Sequence, residues 1–203
     1  MIVVCLDLEG VLVPEVWINV AEREGIEALR LTTRDIPDYD ELMGHRLRVL
    51  DEHNLTISHI QAAIDTLSPL EGALSFLDGL REQYQVIILS DTFYQFAEPL
   101  MRQLAWPTLF CHDLDIDSSG RIAGYRLRQA DQKRQAVKAL HDLNFKVVAA
   151  GDSYNDTSML GEADRGILFC PPDNVIREFP QFPVTRDYAA LRTEIDTAAS
   201  AIQ

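Results

Sequence analysis

The chain of 203 residues has 18 basic and 32 acidic side chains, a formal charge of −14, and 47% hydrophobic residues. These proportions exclude a disordered chain, and the length suits one domain or a core with an inserted segment. The acidic excess argues against a nucleic-acid partner, because contacts with a polyanion require clustered cations and the sequence has none. A small anionic substrate stays compatible with this charge, since one metal ion and a few local cations can hold it.

The first predicted element is a buried strand, Ile2–Leu6, a β-branched apolar run that stops at acidic residues. Residues 15–68 contain no such run, but show three amphipathic helical patterns, at about Val16–Leu29, Asp40–His53 and Thr56–Leu67, the last with Thr56 as its N-cap. We interpret residues 15–68 as a helical domain inserted into a core of residues 1–14 and 69–203. The alternative is one helical layer of the core domain itself.

The rest of the chain alternates short apolar runs with helical periodicity. The runs predict strands at Val86–Leu89, Lys146–Ala150 and Gly166–Cys170, and the periodicity predicts helices at Ala73–Glu82, Tyr94–Leu104 and Asp131–Leu143. Leu114–Arg128 alternates apolar and polar residues around D-S-S-G and is predicted to form a β-hairpin. This order predicts an α/β fold, a Rossmann-like parallel sheet with a small all-helical cap insertion, with its ligand site beyond the carboxyl ends of the strands.

Acidic residues follow two of the predicted strands. Asp7 and Glu9 come after the first strand, and Asp152 and Asp156 lie in G-D-S-Y-N-D after a later one. Carboxylates gathered at one edge of a sheet repel one another unless a hard cation lies among them, and Mg²⁺ prefers such oxygen ligands. A carboxylate beside that ion can attack phosphorus and form an aspartyl-phosphate.

Two further residue types complete a pattern suited to phosphate chemistry. Ser90 and Asp91 end another strand at the same edge, and Lys133 opens a predicted helix, where it can supply positive charge to a phosphoryl group. Each has an ordinary explanation, since serine ends many strands and a lysine at a helix start is usually solvated. Their order and placement together favour the phosphoryl site.

These motifs resemble those of the haloacid dehalogenase superfamily of phosphatases over the whole chain: D-L-E-G-V at Asp7–Val11, the strand ending at Ser90, Lys133, and G-D-S-Y-N-D at Gly151–Asp156. The resemblance implies Mg²⁺ as cofactor, Asp7 as nucleophile and metal ligand, Asp152 as a second ligand and the backbone carbonyl of Glu9 as a third. It leaves open whether Asp156 binds the ion directly. Glu9 stands where the family usually has Asp as general acid/base, so its carboxyl is one methylene longer, which changes how a water is aligned for attack on the aspartyl-phosphate.

The helical insertion resembles the cap of the phosphoserine phosphatase branch. That resemblance implies Glu15 as the acid that binds the substrate ammonium and Arg46 as the partner of its carboxylate, with Ser90, Asp91, Lys133 and Asn155 also binding substrate. Arg30, Arg34 and Arg48 compete with Arg46 for this role. The D-L-E-G-V-L-V-P-E start resembles the bifunctional phosphoserine phosphatase/homoserine phosphotransferase type, which implies phosphoserine and homoserine as substrates and leaves open which acceptor, water or homoserine, dominates.

Two other functions are compatible with parts of this pattern. A phosphatase of the same superfamily for a different small phosphate ester would be favoured if Glu15 and Arg46 lay outside the pocket. A signalling receiver module also uses an acceptor Asp, Mg²⁺ and a Lys, but its acceptor follows a separate acidic pair and no helical insertion interrupts it. No G-x-x-x-x-G-K-[ST] motif is present, which argues against a P-loop.

The cysteines and the N-terminal residues indicate in which cellular compartment the protein is expected. Cys5, Cys111 and Cys170 form neither an even disulfide framework nor a C-x-x-C pair. The first residues lack the basic start of a signal peptide, and no apolar run approaches the ~18 residues that span a bilayer. We therefore expect a cytoplasmic protein without a membrane partner, and a homodimer is compatible with the sequence.

Overall fold

The computed structural model of the chain describes residues 1–32, 35–36 and 38–202. Its strands are, in chain order, β1 (Ile2–Leu6), β2 (Gln85–Phe93), β3 (Thr108–Ile116), β4 (Ile122–Arg126), β5 (Lys146–Gly151), β6 (Arg165–Phe169) and β7 (Val184–Thr185). They form one sheet in the spatial order β4-β3-β2-β1-β5-β6-β7. Every pairing is parallel except that of β3 with β4. The predicted α/β class with a Rossmann-like parallel sheet is confirmed.

The helices occupy both faces of this sheet. They are α1 (Val16–Glu24), α2 (Tyr39–Glu52), α3 (Ile57–Ile64), α4 (Ala73–Arg81), α5 (Tyr94–Gln103), α6 (Gln132–Asp142), α7 (Thr157–Glu162), α8 (Asp173–Glu178) and α9 (Tyr188–Ala201), with short 3₁₀ turns at Glu27–Arg30 and Tyr154–Asp156. Successive side chains of a strand point to opposite faces. In β1, Val4 and Leu6 therefore join a hydrophobic cluster with residues of α1–α5 and α9, while Val3 and Cys5 join a second cluster with residues of α6–α8.

The helical segment differs from its predicted pattern at one point. A single helix over Val16–Leu29 is wrong in extent: α1 ends at Glu24, because Gly25 adopts a left-handed conformation with φ of 68°, and a 3₁₀ turn follows. The other two patterns match α2 and α3, and Thr56 is the N-cap of α3. The division of the chain into a core and an inserted cap stays a prediction.

The predicted hairpin is present, but its first strand begins earlier than the alternation indicates. β3 starts at Thr108 and pairs in parallel with β2 before it pairs antiparallel with β4. The hairpin also contacts α2: Arg121 donates two hydrogen bonds to Asp51, and the Tyr125 hydroxyl donates to Asp40 at 2.5 Å. These contacts tie one edge of the sheet to the helical segment.

Among the helices of the described ranges, none combines the length and the apolar character needed to cross a bilayer.

Strand β6 and helix α7 approach so closely at Gly166 that a side chain there has no room. A Cβ at this position would lie 2.5 Å from the carbonyl oxygen of Leu160. We therefore expect Gly166→Ala to lower the free energy of unfolding by about 1–3 kcal/mol, as overpacking typically does. The matched control is Gly161→Ala in α7, where a Cβ meets nothing within 4 Å and stability should be unchanged or slightly higher. Urea unfolding of both variants makes the measurement, and equal stabilities would contradict this account.

Candidate active site

Polar side chains gather where β1, β2 and β5 end. Val4 lies beside Val86 and Val148 in the sheet, so the carboxyl ends of these parallel strands meet at one edge. A cavity of about 1010 Å³ opens there. It is lined by every residue predicted for the site except Asp156, namely Asp7, Glu9, Glu15, Arg46, Ser90, Asp91, Lys133, Asp152 and Asn155.

Asp7 lies on the floor of the cavity, one residue after β1. Its N–H donates to the Ala150 carbonyl at 2.9 Å, which extends the pairing with β5 and fixes the backbone. Its side chain is almost completely buried, and Oδ1 accepts hydrogen bonds from Leu8 N–H and is 2.9 Å from Lys133 Nζ. Burial and the neighbouring carboxylates of Asp156 and Asp152 raise the pKa of Asp7 well above its usual range, although Lys133 opposes them.

Three buried carboxylates form a cluster suited to a cation. Asp7, Asp152 and Asp156 each offer an oxygen, and these oxygens lie within 4.8 Å of one another. Gly10 makes the cluster possible, because its φ is 77° and a Cβ there would lie 2.6 Å from the Asp152 carboxyl carbon. A divalent cation would relieve the mutual repulsion of these carboxylates, which adds to burial in raising the pKa of Asp7, so the donor set fits Mg²⁺.

Lys133 lies at the start of α6 and is 2% exposed. Its Nζ is 2.7 Å from Asp156 Oδ1 as well as 2.9 Å from Asp7. Burial alone would lower its pKa, but these carboxylates raise it well above the usual value, so the ammonium stays charged. Asp156 is itself fixed, because its other oxygen accepts the N–H groups of Asp152 and Ser153.

Glu9 and Glu15 connect the cavity to the helical segment. The Glu9 Oε2 accepts the N–H of Val16, the first residue of α1, at 2.9 Å. Burial and the Glu15 carboxylate raise the pKa of Glu9 to about 7, while the Val16 N–H and Arg46 oppose the shift. Glu15 lies at the N-cap of α1 on the same wall. A carboxyl with this pKa can both donate and accept a proton near neutral pH.

Arg46 reaches the same wall from α2 and is buried. Its guanidinium lies 4.5 Å above the Trp17 ring, and one NH₂ group donates to the Leu31 carbonyl at 3.0 Å. Its Nε has no hydrogen-bond partner within residues 1–32, 35–36 and 38–202. Burial lowers the pKa of Arg46 to about 10, so it remains a cation at neutral pH. Of its competitors, Arg48 is exposed, Arg30 pairs with Glu22, and Arg34 lies outside the described residues.

The family of haloacid dehalogenase-like hydrolases matches residues 3–164. The chain belongs to this family. It is 63% identical over 200 residues to phosphoserine phosphatase ThrH of Pseudomonas aeruginosa, with 98% of each chain covered. It is also 63% identical to a phosphoserine phosphatase of Pseudomonas syringae pv. tomato, over 98% of this chain and 84% of that protein.

Solved structures show the same fold at lower identity. A phosphoserine phosphatase in apo form superposes with a TM-score of 0.76 at 22% identity and covers 96% of this chain and 97% of its own. A structure described as a phospho-aspartyl intermediate analogue of phosphoserine phosphatase has a TM-score of 0.76 at 21% identity, with the same coverage. The fold of this haloacid dehalogenase-like hydrolase is therefore that of the phosphoserine phosphatases.

The cavity of this hydrolase also contains residues that the sequence analysis missed. Tyr39, His112 and Gln132 line it, and Trp17 lies against Arg46. Two of these residues could have been proposed from the sequence. His112 is a polar residue within the apolar run of β3, and Gln132 is the neighbour of Lys133. Tyr39 and Trp17 carry no such signal, because aromatic residues in amphipathic helices most often pack in a core.

Proposed function

We propose that this chain is a Mg²⁺-dependent phosphoserine phosphatase that forms an aspartyl-phosphate on Asp7. The observation that carries the proposal is a shared cavity, with Asp7 held by Lys133 on its floor and Arg46 and Glu15 on its wall. The names of the relatives at 63% identity support the same substrate. Glu15 and Arg46 line the cavity, which weighs against a phosphatase for an ester without amino and carboxyl groups.

The chemistry proceeds in two displacements at phosphorus. A carboxylate oxygen of Asp7 attacks, the bond between phosphorus and the serine oxygen breaks, and Glu9 donates its proton to the leaving oxygen. Glu9, now a carboxylate, takes a proton from water as the water oxygen attacks phosphorus. The Asp7–phosphorus bond then breaks, which releases phosphate and restores Asp7. A pKa of about 7 suits Glu9 to both proton transfers.

The acidic cluster would hold the metal ion. Asp7 and Asp152 would supply carboxylate oxygens and Glu9 its backbone carbonyl, while Asp156, which holds Lys133, would offer a further oxygen of the same cluster. When bound, Mg²⁺ supplies positive charge that offsets the charge of the phosphoryl oxygens. Lys133 provides the fixed cation on the protein side of that group.

Substrate recognition is assigned to the wall that carries Glu15 and Arg46 and to the floor of the cavity around Lys133. Arg46, with a buried Nε and stacked on Trp17, would bind the substrate carboxylate, and Glu15 would bind its ammonium. The Ser90 hydroxyl and the Asn155 amide, with Lys133, would bind the phosphoryl oxygens. Homoserine is one methylene longer than serine, and a pocket discriminates only ~1–3 kcal/mol per methylene, so homoserine can replace water as acceptor.

The direct test is release of phosphate from phosphoserine with Mg²⁺. Asp7→Asn should lower the rate by about 10³-fold or more, since an amide cannot form the acyl-phosphate. Asp142→Asn, an exposed change in α6, is the control and should leave the rate unchanged. With homoserine present, phosphohomoserine should form in addition to phosphate. Residual turnover of Asp7→Asn within tenfold of the wild type would contradict the nucleophile assignment.

Gly10 and Gly25 give a matched pair for the metal site. Both have positive φ, so alanine should cost each about 1–2 kcal/mol of stability, but only at Gly10 does a Cβ meet the Asp152 carboxylate. We expect Gly10→Ala to weaken Mg²⁺ binding more than tenfold in a calorimetric titration. Gly25→Ala, with open space around its Cβ, should bind Mg²⁺ like the wild type. Equal Mg²⁺ affinities in the two variants would show that Asp152 is not a ligand of the metal ion.

The role of Arg46 in binding the substrate carboxylate can be tested by comparing two substrates, one with a carboxylate and one without. Arg46→Ala should lower kcat/KM for phosphoserine by about 10- to 100-fold, the loss of a charge-assisted bidentate contact of about 1.5–3 kcal/mol. The loss for p-nitrophenyl phosphate, which has no carboxylate, should be less than about threefold by the same reasoning. Arg48→Ala, on the exposed face of α2, is the control. Similar losses on both substrates would place the carboxylate contact elsewhere.

A further inference from the structure

The segment Ser90–Thr92 leaves the regular sheet. Leu89 pairs with Phe110 and Phe93 with His112, so β2 advances four residues while β3 advances two. The extra residues form a bulge, and two of its backbone carbonyls accept hydrogen bonds from side chains. Gln132 donates to Ser90 O at 2.7 Å, and the Tyr39 hydroxyl donates to Asp91 O at 2.9 Å. The bulge is thereby fixed from α6 on one side and from α2 on the other.

The Asp91 side chain meets donors from three elements of the fold. Its Oδ2 accepts the Asn155 amide at 3.0 Å and lies 3.8 Å from Lys133 Nζ. Its Oδ1 accepts the Gln132 amide at 3.3 Å and lies 3.7 Å from His112 Nε2. Both oxygens are therefore engaged with side chains, two of which, Asn155 and Lys133, are assigned to phosphate.

His112 holds the other side of this carboxylate. It is 3% exposed, and its Nδ1 accepts the backbone N–H of Arg128 at 3.1 Å. That contact leaves the proton of a neutral ring on Nε2, which faces Asp91. The Arg128 backbone thus orients the His112 ring, with Nε2 towards the Asp91 carboxylate.

Asn155 depends on this arrangement for its orientation. It is exposed, and an exposed amide on a short turn samples several rotamers unless both of its ends are bound. Here Nδ2 donates to Asp91, and Oδ1 accepts the Ser153 hydroxyl at 2.5 Å. One N–H of the amide stays available to an oxygen of the substrate.

We propose that Asp91 is a positioning residue, which fixes the Asn155 amide and the Lys133 ammonium against the phosphoryl group and does not itself bind substrate. The inference rests on the proposed function and replaces the sequence-based expectation of a direct substrate contact. A carboxylate repels a phosphate, so its useful contacts are with the donors that bind the phosphate. Burial would raise the pKa of Asp91, but Lys133 and the hydrogen bonds from its neighbours hold it well below the usual range, so the group stays anionic.

The test is a double-mutant cycle of Asp91→Ala and Asn155→Ala. In the wild type, Asn155→Ala should lower kcat/KM at least tenfold. In the Asp91→Ala background the same change should lower it less than twofold, because Asn155 has already lost its orientation. Because the phosphoryl group is common to both, Asp91→Ala should affect phosphoserine and p-nitrophenyl phosphate alike. Asp115→Ala, an exposed carboxylate paired with Arg126, is the control and should leave the effect of Asn155→Ala at tenfold.

A structural role alone would not produce this coupling. If Asn155→Ala costs the same factor with Asp91 present and absent, the positioning role is overturned, whatever the melting temperatures of the variants. The wild type, the two single variants and the double variant are also compared by their Kd for inorganic phosphate. If the wild type hydrolyses p-nitrophenyl phosphate but not phosphoserine, the proposed substrate is wrong while the cycle on p-nitrophenyl phosphate and inorganic phosphate still decides the role of Asp91.

Discussion

The ammonium of Lys133, buried at the end of the sheet, is the charge around which the site is built. It lies between carboxylates from three different strands or the turns that follow them: Asp7 after β1, Asp91 in the bulge of β2 and Asp156 after β5. A buried cation with these partners remains charged, whereas loss of Lys133 would leave the carboxylates of Asp7 and Asp156 buried without their cation. The three strand ends are therefore held in one arrangement by electrostatics as well as by sheet hydrogen bonds.

A single cation does not balance the acids at this edge. Asp152 joins Asp7 and Asp156 within a few ångströms, and burial together with repulsion from these two carboxylates raises the pKa of Asp7 above its usual range. A divalent ion together with Lys133 would offset the charge of these three carboxylates, so that an anion could approach the floor of the cavity although the chain has a net charge of −14. The overall charge instead disfavours large polyanions, whose contacts extend beyond this floor.

Glu9 connects the helical segment to the floor of the cavity. Its carboxylate accepts the first N–H of α1, so the residue that would transfer protons is fixed by the helix that carries Glu15 and Trp17. Trp17 in turn stacks on Arg46 and meets Phe96 of α5 edge-on at 5.4 Å. In the proposed function, recognition of the amino-acid end of the substrate and proton transfer at the phosphoryl end would therefore depend on the same helix terminus.

The sequence by itself determined β1, β5 and β6 and the acidic residues that follow β1 and β5, because an apolar β-branched run ending in acids, as at Ile2–Leu6 and Asp7, has few alternative interpretations. It did not predict β7, the start of β3 at Thr108 or the extension of β2 to Phe93. It also predicted α4, α5 and α6 nearly to the residue, since their apolar periodicity is regular. Tertiary structure alone decided the bulge at Ser90–Thr92, which comes from the register between two strands far apart in sequence. For the same reason the sequence could not show that Tyr39 and His112 converge on Asp91: their contacts join distant segments, and residue type alone does not encode such pairing.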